Sequence, residues 1–299
     1  MIATPLPDRL RAQEASFTPP TDPTLPRHAL TVDVEDWYQS CIDYDAPITE
    51  RVVRNVDRTL AVLDRFGAKA TFFVQGMVAE TFPRLVSSLS AAGHEVQSHG
   101  YSHRPLSSMN RAELREELER GKKTVEDAAG MQVTAFRAPD FSIGMSNLWA
   151  LETLADVGFE IDSSIFPMRS RHYGIENWHI EPHHLAFDGI VRILEVPVAI
   201  WPLGRLRIPV AGGGYLRLFP WRLIERGLRA IDANGRPAIL YFHPYEFSAE
   251  ELAEYPAVPR RIRLSQGIGR KAMADRVGAL LSAFKFGRMD DVLASWGLT

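Results

Sequence analysis

Histidines 99 and 103 lie four residues apart in the run His99-Gly100-Tyr101-Ser102-His103. At that spacing two imidazoles can share one face and bind one divalent ion, leaving positions open for water. Gly100 disfavours a regular helix start, so the pair is expected on a loop entering a helical turn. The spacing is loose and on its own fits ordinary loop histidines equally well. A carboxylate from another segment strengthens the metal reading, since two His plus one carboxylate is a recurrent hydrolytic set. Asp33, Glu35 and Asp36 offer it. One of them can ligate the ion while a second takes a proton from water.

Two more polar clusters have the same character. In Arg137-Ala138-Pro139-Asp140, Arg137 can orient a carboxylate base through a bidentate contact. In His243-Pro244-Tyr245-Glu246, His243 emerges from the apolar run AILYF. Asp162 ends another apolar segment and is placed to hold the His243 ring and keep it protonated.

All these groups follow segments that read as strands: 28–34, 70–74, 95–98, 133–137, 159–162, 190–200 and 238–243. Helical periodicity separates most of them, with Val52, Val53, Val56, Leu60 and Leu63 on one stripe and Gly67 as a stop. Asn110 and Glu113 read as a capping box opening a helix that runs to about Ala129. About seven strands alternating with helices predict a mostly parallel sheet. In a closed (β/α) barrel, working residues collect at the C-terminal ends of the strands, where these clusters fall. Residues 165–220 are loop-rich, with glycines at 212–214, and are expected to form an insertion or cap. Residues 250–299 read as a helical extension. Residues 1–27 hold six prolines and no apolar run, so a flexible leader without a signal peptide is expected before one domain over 28–299.

Composition bounds the function. The 299 residues are 45% hydrophobic and 24% charged, the profile of a globular chain with a large core. No stretch approaches ~18 uncharged apolar residues, which excludes a membrane-spanning helix. A net charge of −3 argues against a nucleic-acid partner. The single cysteine, Cys41, excludes an internal disulfide framework and fits a reducing cytoplasm. Charge is uneven, however: between 260 and 288 there are eight Lys or Arg against one acid, Asp275. That run is either the solvated face of a terminal helix or a contact for an anionic membrane surface or substrate. Three features are set aside. His179, Glu181, His183 and His184 lie where no strand pattern positions them. Cys41 lacks a basic neighbour. Gly267-Ile268-Gly269 follows no strand.

Together TVDVED, SHGYSH, RAPDFS, EIDSS and YFHPYE resemble, in order and spacing, the five motifs of the polysaccharide deacetylases of carbohydrate esterase family 4, over roughly residues 29–250. Residues 212–220 (GGGYLRLFP) and the basic region beyond resemble the C-terminal extension of a subgroup associated with exopolysaccharide biosynthesis loci. The resemblance implies a distorted (β/α) barrel and a metal-dependent N-deacetylase acting on N-acetylated glycans. It assigns Asp33 as catalytic base, His99 and His103 as metal ligands, Arg137 as the group orienting the base, His243 as general acid and Asp162 as the residue tuning it. Where many members carry a second adjacent aspartate as ligand, this chain has Val34. The metal role then passes to Glu35 or Asp36. Strand alternation puts Glu35 on the same face as Asp33, with Asp36 the competitor. Zn²⁺ is the default ion, with Co²⁺, Ni²⁺ or Fe²⁺ as alternatives. The expected setting is cytoplasmic, near the inner leaflet, on a lipid-linked glycan precursor. Rival readings are a hydrolase of another non-peptide amide, such as a cyclic ureide or formamido sugar, and a silent glycan-binding protein.

Overall fold

A computed structural model of the chain describes residues 9–169, 173–255 and 257–299. Twelve strands form among them: β1 (Leu10–Glu14), β2 (His28–Val34), β3 (Thr71–Val74), β4 (Glu95–Ser98), β5 (Ala135–Phe136), β6 (Ile161–Asp162), β7 (His183–Phe187), β8 (Ile190–Glu195), β9 (Ile200–Leu203), β10 (Leu206–Pro209), β11 (Ile239–Phe242) and β12 (Phe286–Gly287). The main sheet runs β1-β7-β8-β6-β5-β4-β3-β2-β11, and β12 also pairs with β2. From β8 to β11 every neighbour is parallel. This is the expected mostly parallel sheet, wound with helices.

Residues 196–199 bring the two ends of the parallel set together. Val196 N–H donates to Asp162 O of β6 (2.7 Å), and three residues on Ala199 N–H donates to Ile239 O of β11 (2.9 Å). A segment bonded to both ends curls the sheet towards a barrel. Beyond β11 the curl continues through Ala211 and Gly213, which exchange backbone bonds with Tyr241.

Strand alternation decides what the barrel holds. Ala29, Phe73, Ala135, Ile161, Leu194 and Ile239 point inward and form one apolar cluster with Met289, Val292, Leu293 and Trp296. The helix Met289–Ser295 therefore plugs the N-terminal end. Each fully buried large side chain there stabilises the fold by about 1.5–3 kcal/mol. The same parity further along the strands brings Asp33, Glu35, His99, Arg137 and His243 into the opposite mouth. Residues of the other parity, such as Leu30, Val32, Phe72, Val96 and Leu240, pack outward in the main core.

The helix Arg111–Ala129 opens with the expected capping box: Asn110 accepts from the Ala112 and Glu113 amides, and Glu113 reaches back to the Asn110 amide. It ends at Gly130, in the left-handed region at φ 68°.

Three expectations are corrected. The leader is not free from residue 9 onward. β1 pairs antiparallel with β7, Leu10 is buried, and Phe17 lies edge-on to Trp296. Residues 1–8 lie outside those described. Within 165–220, β8 is part of the barrel wall rather than a cap, and His183 and His184 open β7. The basic run is not one solvated face. Arg270 is buried, donating to the carbonyls of Tyr245, Ser248 and Gln266. Arg276 donates to the carbonyls of Leu216 and Phe219, and Arg288 pairs with Asp291.

Candidate active site

Glu35, His99 and His103 converge where β2 and β4 end. One ligand-type atom from each lies within 4.8 Å of the others, and all three residues are buried. His99 Nε2 is 3.5 Å from Glu35 Oε2, and His103 Nε2 contacts the same oxygen. The His99 Nδ1–H donates to the Arg137 carbonyl at 2.8 Å, which leaves Nε2 as the lone-pair nitrogen facing Glu35. Burial alone would raise the Glu35 carboxyl, but the three surrounding histidines hold it well below the usual carboxylate range. Burial would lower His103, and Glu35 more than reverses that. Two imidazoles and an ionised carboxylate, packed this closely, fit the donor set of a divalent ion. Among the described residues this is the one group of His, Cys, Asp and Glu that converges so.

The loop carrying His103 is held from outside. The Glu117 carboxylate accepts from the amides of Tyr101 (2.9 Å) and Ser102 (2.6 Å) and from the Ser102 hydroxyl. His103 itself takes a left-handed backbone at φ 63°, uncommon for a residue with a side chain. Gly121 lets the helix approach: a Cβ there would lie 2.8 Å from the Gly100 carbonyl carbon.

Asp33 stands on the same inward face. Its Oδ1 accepts from Arg137 Nη1 at 2.8 Å. The Arg137 guanidinium is fully buried and fixed on every side, by the Thr31 hydroxyl (2.6 Å), Ser163 O (3.2 Å) and the Ser163 hydroxyl (2.9 Å). It lies over the Phe73 ring, 4.3 Å from the centroid. The contact with Asp33 is through one oxygen rather than the bidentate fork expected, because Nη1 is shared with the Thr31 hydroxyl and Nε and Nη2 are turned to Ser163.

His243 faces this group from β11, its Nε2 3.9 Å from Glu35 Oε1. Tyr245 stacks on its ring (4.8 Å, 13°). Glu246 Oε2 accepts from the His243 backbone amide (3.0 Å) and lies 3.3 Å from its Nδ1. Arg217 Nε donates to the other Glu246 oxygen at 2.5 Å. Burial would lower the His243 ring, but the Glu246 hydrogen bond and the charge of Glu35 carry it up to about 9. Burial would raise Glu246, yet His243 and Arg217 bring it down to about 2.

Two expected residues sit elsewhere. Asp36 caps the short helix Trp37–Cys41, accepting from the Tyr38 and Gln39 amides and from Thr49. Both its oxygens are thereby engaged, and it does not join the ligand group. Asp162 does not reach His243: the neighbouring Ile161 points into the barrel, so Asp162 points out. There it bonds the Ser164 hydroxyl and faces Glu195. The residue holding His243 is Glu246, which the sequence offers three positions downstream in the same motif. Arg217 comes from GGGYLRLFP. Of the residues set aside, His183 is buried beside Trp178 and His179, its Nδ1 on the Glu181 carbonyl.

Residues 29–160 match a family model described as polysaccharide deacetylase, and residues 163–294 match a domain of unknown function, DUF3473. The chain is 32% identical over 130 residues to the peptidoglycan deacetylase-like protein FGM2 of Gibberella zeae, covering 42% of this chain and 37% of that protein. It is 32% identical over 109 residues to a peptidoglycan-N-acetylglucosamine deacetylase of Bacillus cereus, covering 36% and 38%. The matched part thus spans well under half the length of these relatives. Among solved structures it resembles a Mycobacterium smegmatis protein classed as a polysaccharide deacetylase (TM-score 0.61, 22% identity, 96% of this chain and 95% of that one). It also resembles the Puue allantoinase (TM-score 0.60, 18% identity, 93% and 92%). At these identities the structural likeness establishes the shared barrel-like fold.

Proposed function

From the premise that residues 29–160 match the polysaccharide deacetylase family, we propose that the chain is a metal-dependent N-deacetylase of N-acetylated glycans. The observation that carries the proposal is the convergence of Glu35, His99 and His103 beside an Arg137-held Asp33, with His243 across from them.

Glu35, His99 and His103 would hold the ion. When bound, it supplies Lewis-acid polarisation of the acetyl carbonyl and a lowered pKa for water. Every other role belongs to the chain. Arg137 holds Asp33 by Oδ1, which leaves Oδ2 to take the proton of the attacking water. The Nδ1–H of His243 is held by Glu246, so its Nε2 proton faces the site and passes to the departing amine nitrogen. Acetate and a free amino sugar result. Two imidazoles and one carboxylate suit Zn²⁺ first, with Co²⁺, Ni²⁺ and Fe²⁺ accepted by the same donors. The named activities of the peptidoglycan deacetylase relatives support an N-acetyl amide as the bond cleaved. The resemblance of residues 212–220 and the basic region beyond supports an exopolysaccharide or its lipid-linked precursor as the glycan.

The test measures metal content and acetate release on protein purified without a nickel column. Wild type is expected to carry about one equivalent of metal and to release acetate from N-acetylated oligosaccharides. His99→Ala/His103→Ala should lose both. Asp33→Asn should keep the metal and lose about 10²–10⁴ in rate. A wild type that takes up no added ion, or an Asp33→Asn variant at full rate, sinks the assignment.

A further inference from the structure

The helix Arg260–Gly267 is unlike the other helices of eight or more residues: none of its residues is buried. Only its inner side touches the protein. Ile262 packs against the buried cluster of Trp37, Tyr245, Leu252 and Val258, and the Gln266 carbonyl accepts from Arg217 and Arg270. Leu264, two residues from Ile262 and so on the opposite side, is 73% exposed. Arg260 and Arg261, both exposed, and the half-buried Arg263 flank it. Among the described residues none of these three arginines makes an ion pair. The acids nearest in sequence are already taken: Glu250 by Arg58, Glu251 buried against Asn55, and Glu254 by Arg51 and Arg54.

The apolar part extends beyond the helix. Gly269 packs against the Arg217 backbone so closely that a Cβ would lie 2.5 Å from the Arg217 carbonyl oxygen. The residues flanking that contact, Ile268 and Leu218, are 55% and 53% exposed. Three aliphatic side chains standing out beside three unneutralised arginines make a surface whose complement is apolar and anionic at once. Membrane interfaces offer that pairing, with acyl chains for the aliphatic groups and acidic headgroups for the arginines. A polysaccharide offers the anion without the hydrocarbon, and sugar faces are met by aromatic rings rather than by Leu and Ile. No described helix is long and apolar enough to cross a bilayer, so the contact is peripheral.

We propose that the face formed by Arg260–Gly267, Leu218 and Ile268 docks on an anionic lipid bilayer. Docking sets the catalytic mouth against that surface. Arg217 makes the link: it donates to the Gln266 and Ile268 carbonyls at one end of its guanidinium and to Glu246, the partner of His243, at the other. The proposal stands on surface chemistry and does not depend on the reaction assigned above.

Vesicle flotation of the full chain tests it. Binding is expected to vesicles of phosphatidylcholine with about 30% phosphatidylglycerol, not to phosphatidylcholine alone, and should weaken as salt rises. Each of Arg260→Ala, Arg261→Ala and Arg263→Ala should cost about five-fold in affinity. Leu264→Ser/Ile268→Ser should cost about ten-fold or more. Arg222→Ala, on an exposed position of another helix, should change nothing. Matching thermal melts establish that the variants are folded. The proposal is overturned by absence of binding to either vesicle, by binding that survives the arginine or the Leu264/Ile268 substitutions, or by capture on a soluble polyanionic glycan with none on vesicles.

Discussion

Glu246 meets His243 twice, at the ring and at the backbone amide, and is itself clamped by Arg217. A carboxylate so held fixes which ring nitrogen carries the inward-facing proton. Glu246→Gln should therefore lower kcat by about ten-fold or more while KM and bound metal stay near wild type. Loss of metal along with rate would mean that the residue merely supports the fold. Asp162→Asn should leave kcat near wild type, because Asp162 faces Glu195 outside the barrel; steady-state kinetics on the two variants side by side decides between them. The contrast shows what a sequence can and cannot convey at this scale. Asp33, Glu35, His99, Arg137 and His243 are legible because each falls at the end of a strand on the inward parity. Asp162 ends a strand too, but one residue out of phase, and β6 is too short for alternation to reveal it. Asp36 precedes a five-residue helix that leaves no periodic trace, so its capping role is visible only in three dimensions.

Elements, rather than residues, set the mouth and the floor of the barrel. The mouth depends on how closely the helix Arg111–Ala129 approaches the His99–His103 loop. Gly121→Ala adds about 1 kcal/mol of helix propensity but drives a methyl into the Gly100 carbonyl. The clash is with backbone, so the loop must yield, and Zn²⁺ affinity by calorimetry should drop about 10–100-fold with helicity unchanged. The floor is the helix Met289–Ser295, whose first amides meet Thr71 and Glu95 inside the barrel. Burial, with the charge of Asp290, pushes the Glu95 carboxyl up to about 7. The folded chain then holds a proton that the unfolded chain loses above about pH 4.5, so stability falls as pH rises from there to about 7 and levels off beyond. Glu95→Gln removes the titration. Its free energy of unfolding should exceed wild type at pH 8, by up to about 3 kcal/mol, with the difference vanishing near pH 4. A constant difference across that range would count against the assignment. The long helices and β2 were plain from periodicity and length. β1 and the floor helix were not, since their places depend on partners more than a hundred residues away in the chain.

At the scale of the whole molecule, two adjoining family matches divide the chain between residues 160 and 163, yet the barrel does not divide there. β2 through β5 lie in the first segment, β6 falls in the gap between the two, and β8 and β11 come from the second and complete the parallel set. The inward apolar cluster draws Ala29, Phe73 and Ala135 from one and Leu194, Ile239, Val292 and Leu293 from the other. The site is composite as well, with Asp33, Glu35, His99, His103 and Arg137 on the first segment and His243, Glu246 and Arg217 on the second. A fragment ending at residue 162 would leave β2 without β11 and expose the inward faces of the five strands β2 to β6. Neither half can then bury its own core, and folding must be a property of the whole. The full chain should melt in one calorimetric transition whose calorimetric and van't Hoff enthalpies agree. Residues 9–162 expressed alone should show no cooperative transition, should bind a hydrophobic dye, and should hold no stoichiometric metal, because the β2–β4 ends that carry the ligands lose the sheet that fixes them. Two separable transitions, or a fragment that melts sharply and binds metal, would show instead that the first segment is a self-sufficient domain and that the second is an appendage to it.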